Sequence, residues 1–268
     1  MLGCGAALLV AGPHIAAPWI GGTAAIAQSA PGASGKKPRT APANRTTFTD
    51  AEIIDGYLKV AFGAEYRLAG PSDRIRKYHK PVRILIEGES SPRRRSELLR
   101  IIADIAQRIG HLDIAATTTR TDANMIVTLV RDRDMRKTLT QKFGKQRARD
   151  IARRLDPQCL SGFRRNESFE IERAEVVLVT DAGDFTFRDC AYEEMLQALG
   201  PINDTDEVPW TMFNDDVRLG FFGVYDQHLL NIHYHPRIRA GMSVDEVMAI
   251  LPDIMPEVRD FVTRQNGP

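Results

Sequence analysis

Apolar residues recur along this chain with two different periods, and each change of period marks an element. Ile53, Ile54, Tyr57, Leu58 and Ala61 fall three and four residues apart, the stripe of an amphipathic helix. Thr49-Asp50-Ala51-Glu52 opens that stretch as a capping box, in which the Thr hydroxyl and the Glu carboxylate satisfy free amides; a helix is predicted over 50–63. Val82-Arg83-Ile84-Leu85-Ile86 alternates and is β-branched, which predicts a strand. Leu98, Leu99, Ile102, Ile105, Ala106 and Ile109 make a broad helical stripe over 96–109, with Gly110 as its stop. Strands are predicted over 113–119, 124–130 and 174–180. Helices are predicted over 136–155 (broken near Gly144), 187–199, 225–233 and 243–250, the last capped by Ser243 with Glu246 three residues on. No internal repeat interrupts this order. It predicts an α+β (mixed α/β) fold, a twisted mixed sheet packed on helices, in a single domain over 47–268.

The N-terminal segment has another character. Leu2 to Val10 is an apolar run, and Ala25-Ile26-Ala27 before Gln28 has small residues where a signal peptidase needs them; residues 1–27 read as a signal peptide. No Lys or Arg precedes the run. Leu2-Gly3-Cys4 also matches the end of a lipobox, so the alternative is a lipid-anchored N-terminus at Cys4. Residues 28–46 are rich in Ala, Pro, Ser, Gly and Lys and read as a flexible linker, since they have little to bury. Beyond residue 27 two cysteines remain, Cys159 and Cys190. In an oxidising compartment the pair predicts a disulfide stabilising the fold by about 3 kcal/mol; the alternative is two buried thiols. The expected location is the periplasm or envelope.

Charge narrows the partners. The net charge is +1, and the patches Arg93-Arg94-Arg95 and Arg147 to Arg154 are offset by acids elsewhere. Nucleic-acid binding is therefore not expected, because it needs a cationic face. After the first segment no apolar run reaches the ~18 residues of a membrane span, which leaves membrane attachment to a signal anchor or a lipid at Cys4. An envelope protein, a peptide or a glycan is the expected partner.

The stretch richest in chemistry is Arg188-Asp189-Cys190-Ala191-Tyr192-Glu193-Glu194-Met195-Leu196-Gln197-Ala198-Leu199-Gly200-Pro201-Ile202-Asn203-Asp204. Its frame is that of the zincin signature H-E-x-x-H-x-x-G-x-x-H, in which two His one helical turn apart hold zinc, Glu activates water and Gly turns the chain towards a third ligand. Glu194 and Gly200 match the general base and the turning glycine. Glu193, Gln197 and Asn203 stand at the three ligand positions, and amide oxygens are poor zinc ligands. No zinc and no cofactor are expected; one carboxylate with two amides suits a harder divalent cation such as calcium, helped by Asp204 or Asp206. As ordinary structure, Glu193 and Gln197 would bond one turn apart, and Asn203-Asp204 would form an Asx-turn. His228, His233 and His235 match no recognised metal spacing. No G-x-S-x-G elbow or phosphate-cradling glycine loop occurs, and an oxidised Cys190 cannot serve as a nucleophile.

That run, with Asn214-Asp215-Asp216, Tyr225-Asp226-Gln227-His228-Leu229-Leu230 and the segment Pro236 to Met242, resembles an uncharacterised bacterial family of exported proteins and lipoproteins over residues 48 to 256. The resemblance implies no activity, since the family's function is unknown. A more distant resemblance links the chain to zincin and metzincin peptidases through the helix motif, the strand-helix-strand order before it, and Trp210-Thr211-Met212-Phe213 at the place of a methionine turn. It implies a zincin-like domain with a degenerate metal site. Three functions follow: a non-catalytic module binding through a cleft of Glu193, Gln197, Asn203 and Asp204, an unconventional (metallo)hydrolase or peptidase with Glu194 as general base, or a structural envelope protein. The first is the leading expectation.

Overall fold

A computed structural model describes residues 24–27, 45–62, 74–154, 158–214 and 216–267. Cys4, most of the signal segment and nearly all of the linker lie outside the described residues.

The elements in chain order are β1 (Ala24–Ala27), α1 (Asp50–Ala61), β2 (Val82–Gly88), α2 (Pro92–Arg108), β3 (Ile114–Thr117), β4 (Met125–Val130), α3 (Met135–Phe143), α4 (Lys145–Arg154), β5 (Cys159–Arg165), β6 (Ile171–Val179), α5 (Asp184–Gln197), α6 (Val224–Tyr234) and α7 (Val244–Asn266). Among the described residues five strands form a mixed sheet in the order β5-β6-β4-β2-β3, and β1 adds four residues of backbone at the β5 edge. β3, β2, β4 and β6 run parallel; β5 is antiparallel to β6, and β1 to β5.

Helices cover both faces. On β6, Ala174, Val176 and Leu178 enter the main core with α1, α2, α5, α6 and α7, whereas Val177 and Val179 enter a smaller core under α3 and α4. Side chains alternate across a strand, so a strand covered on both sides becomes continuously apolar. The mixed α/β, single-domain expectation therefore holds.

Local signals explain most boundaries. Thr49 and Glu52 form the expected capping box, as do Ser243 and Glu246. Gly144, at φ 85°, separates α3 from α4 where the break was expected. α2 begins at Pro92, four residues before the predicted start: the Ser91 hydroxyl accepts from the Arg94 amide and Pro92 occupies the first turn. That turn is Pro-Arg-Arg-Arg, with no apolar periodicity to reveal it. α7 runs on to Asn266, past the predicted end at Ile250, with Pro252 and Pro256 inside it. Each proline removes an amide donor, and buried Leu251, Ile254, Met255, Val258 and Val262 hold the helix together across them. β5 was not foreseen at all: Cys-Leu-Ser-Gly-Phe-Arg-Arg lacks alternation and carries a strand-weakening glycine.

Candidate functional site: the buried face of α5 and the adjoining edge of β5

α5 begins with Asp184, which pairs with Arg93 and, at 2.8 Å, with Arg94. Its second half sinks into the core: Cys190, Ala191 and every residue from Glu193 to Gln197 are buried. A helix enclosed on all sides has no polar face, so its polar residues lie inside. Glu193 is 6% exposed, and Glu194 and Gln197 are fully enclosed.

The structure brings some of the expected cleft residues together. Gln197 Nε2 donates to Asp204 Oδ1 at 2.8 Å, which closes the polar cluster at the end of α5. Gln197 Oε1 is buried with no donor among the described residues, and such a group costs free energy until something meets it. Asn203 is directed elsewhere. Its side-chain amide donates to the Lys59 carbonyl at 2.7 Å, and its backbone amide to that of Val60 at 3.2 Å. Both bonds satisfy the otherwise open carboxyl end of α1. Among the described residues no group of three His, Cys, Asp or Glu side chains could hold a metal ion.

Gly200 turns the chain after α5, as its place in the motif predicts. Its φ is 135°, and a Cβ there would collide with the Arg76 carbonyl and the His233 ring. His233 Nε2 donates to that same carbonyl at 2.8 Å, and the Tyr57 hydroxyl lies 3.3 Å from Nδ1. Burial pushes the His233 imidazole down to about 3, so it is neutral. Arg76, itself buried, donates to the Ala61 carbonyl at 3.1 Å and lies 5.7 Å from the centre of the Phe163 ring on β5. It joins α1, α6 and β5, a role that no pattern in the sequence discloses.

The other expected features are structural in geometry. His228 Nδ1 bonds the Val224 carbonyl at 2.8 Å and His235 Nε2 meets Glu257 at 3.2 Å, so the three histidines do not converge. The Trp210 to Phe213 segment is clamped by Asp226, which accepts from the Thr211 hydroxyl at 2.5 Å and the Met212 amide at 3.1 Å. Full burial pushes the Asp226 carboxyl up to about 7.

The second half of the site is β5. A disulfide joins Cys159, its first residue, to Cys190 on α5 with the Cα atoms 5.8 Å apart, as the cysteine count predicted. It fastens the strand to the helix one turn before Glu193 and Glu194. On its outer side β5 pairs with β1: Ala24 opposite Arg164, Ala25 opposite Phe163, Ile26 opposite Gly162 and Ala27 opposite Ser161. Ser161 is fully buried and its hydroxyl has no partner among the described residues. By the two-residue period it shares the α5 side of the sheet with Cys159 and Phe163. The signal that could have found β5 was indirect: the segment between α4 and β6 must return alongside β6 and bring Cys159 to Cys190.

A family model described as a protein of unknown function (DUF2927) matches residues 50–253, and the chain belongs to that family. No curated protein and no solved structure matches it significantly.

Proposed function

We propose that this chain is an exported, non-catalytic binding module that takes an extended peptide as an extra strand along β5, beside a zincin-like helix with a degenerate metal site. The observation that carries the reading is the pairing of Ala24–Ala27 along the outer side of β5. An edge that accepts one short apolar segment through its backbone is suited to accept another, because main-chain hydrogen bonds supply affinity with little dependence on sequence. Export is supported by the Cys159–Cys190 disulfide, since such bonds persist in oxidising compartments. Under this reading residues 1–27 leave as the signal peptide. The paired segment goes with them, and β5 is open to a peptide from an envelope partner.

Burial counts against catalysis by Glu194 and equally against a binding cleft on Glu193 and Gln197, which leaves β5 as the place for a peptide. Glu194 has no solvent exposure, whereas a general base must come within hydrogen-bond reach of the proton it abstracts. Asn203 is committed to α1, which leaves Glu193 and Gln197 without a third ligand in the zincin position.

The test is a titration of residues 28–268 with a labelled peptide built on Ala-Ala-Ile-Ala, followed by fluorescence anisotropy. Saturable binding that disappears when alternate peptide nitrogens are methylated is the expected result. Equal binding of the methylated peptide would remove backbone pairing from the account. Cleavage of the peptide, abolished in Glu194→Gln at unchanged melting temperature, would return the hydrolase reading.

A further inference from the structure

A separate cleft opens where the chain enters the parallel strands. Residues leading into β2, β3 and β6 enclose a cleft of about 600 Å³, which the 236–240 loop completes. Lys77 lines it. The Lys77 ammonium donates to the carbonyls of His233 and Ile238, each at 2.9 Å, and lies 4.9 Å from the centre of the Tyr234 ring. An ammonium has three donors, so one remains. No carboxylate among the described residues pairs with it. Asp113 on the cleft wall is held by Arg83 at 2.7 and 3.0 Å, and Glu170 accepts from the Asn166 side-chain amide at 2.9 Å. Removing a cation from water without a counter-charge is costly, and burial lowers the Lys77 amine to about 8. Lys80 and Arg239 stand exposed at the rim.

Backbone strain gathers at the same place. Two non-glycine residues among those described have positive φ, His111 at 61° and Phe169 at 66°. His111 lines the cleft, and Phe169 sits between Ser168 and Glu170, which do. Such conformations persist where the surroundings enforce them, and they concentrate at binding sites. The Arg165 guanidinium, 4.0 Å from the Phe169 ring centre, is one such constraint.

We propose that this cleft binds a small organic carboxylate, with an oxygen accepting the remaining Lys77 N–H and Lys80 and Arg239 drawing the anion in. A single inward ammonium matches one carboxylate, while Tyr234, Pro236 and Leu112 in the walls suit an apolar body. The proposal stands apart from the peptide reading and uses none of its residues.

Isothermal titration of the full chain with benzoate, its neutral analogue benzamide and inorganic phosphate tests it. Benzoate should bind at least about tenfold tighter than either of the others, and Lys77→Met should lose at least about tenfold in affinity while circular dichroism stays unchanged. Should Lys77→Met fail to fold, the exposed pair Lys80→Ala/Arg239→Ala decides the matter by weakening benzoate about threefold or more. Equal affinity for benzoate and benzamide, no benzoate binding, or undiminished binding in a folded Lys77→Met would overturn the proposal. Tighter binding of phosphate would overturn the ligand class.

Discussion

The sheet has two edges, and they are built differently. At one, β3 is four residues long, with Ala115 and Ala116 exposed. At the other, β5 is seven residues long, and its first five are buried. β5 is also bolted to α5 by a disulfide and carries another segment on its outer side. Proteins blunt an edge by shortening it, because unpaired amides and carbonyls invite association. The β3 edge is blunted in this way. The β5 edge is long, supported from behind and paired, and that contrast supports the proposal that it receives a strand.

The largest effect should come from the packing beneath β5. Phe163 is fully buried under Arg76, so Phe163→Ala should cost about 3–5 kcal/mol, measured by urea unfolding. Removing the disulfide with the double variant Cys159→Ala/Cys190→Ala should cost about 3–4 kcal/mol. It should also loosen β5 selectively in hydrogen exchange, leaving β3 as it was; equal loosening at both edges would remove the contrast.

A perturbation touching neither edge serves as the control. The Asp226 carboxyl stands at about 7 in the folded protein against 3.8 ordinarily. Between those values the folded state keeps a proton that the unfolded state has released. The stabilisation is therefore complete below about pH 4 and is lost as pH rises through 7. Asp226→Asn has no such loss, so its stability relative to the parent should climb from pH 4 to pH 7, followed by urea midpoints. His233, held at about 3, acts in the opposite sense, losing its contribution as pH falls below 6.5, and it is common to both proteins. The smallest effect belongs to the blunt edge. Ala116→Lys should change stability by no more than about 0.5 kcal/mol, and a larger loss would mean that β3 is not the passive edge described.

How far these features could be read from the chain depended on how local their causes are. The capping boxes at Thr49 and Ser243, the break at Gly144 and the apolar run of β6 each arise within a few residues, and each was legible. The expected end of α7 at Ile250 falls short because Pro252 and Pro256 weaken a helix locally, whereas the burial of Val258 and Val262 that outweighs them depends on residues distant in sequence. β5 escaped because its strand character comes from its partners on either side. In the candidate site, the cysteine pair and the turning Gly200 were visible. The enclosure of Glu193, Glu194 and Gln197 was not, because a helix sequence does not say how many of its faces will be covered. Lys77 lies in Arg-Ile-Arg-Lys-Tyr-His-Lys, where one cation looks like another until the fold half-buries it beside two carbonyls.

β5 is proposed as an edge that receives a strand. The most direct measurement is backbone hydrogen exchange across Leu160 to Arg164 in three samples: the full chain, residues 28–268, and residues 28–268 with the Ala-Ala-Ile-Ala peptide. Alternate amides should be protected in the first, exchange at least about tenfold faster in the second, and be protected again in the third. The same exchange in all three samples would contradict that proposal.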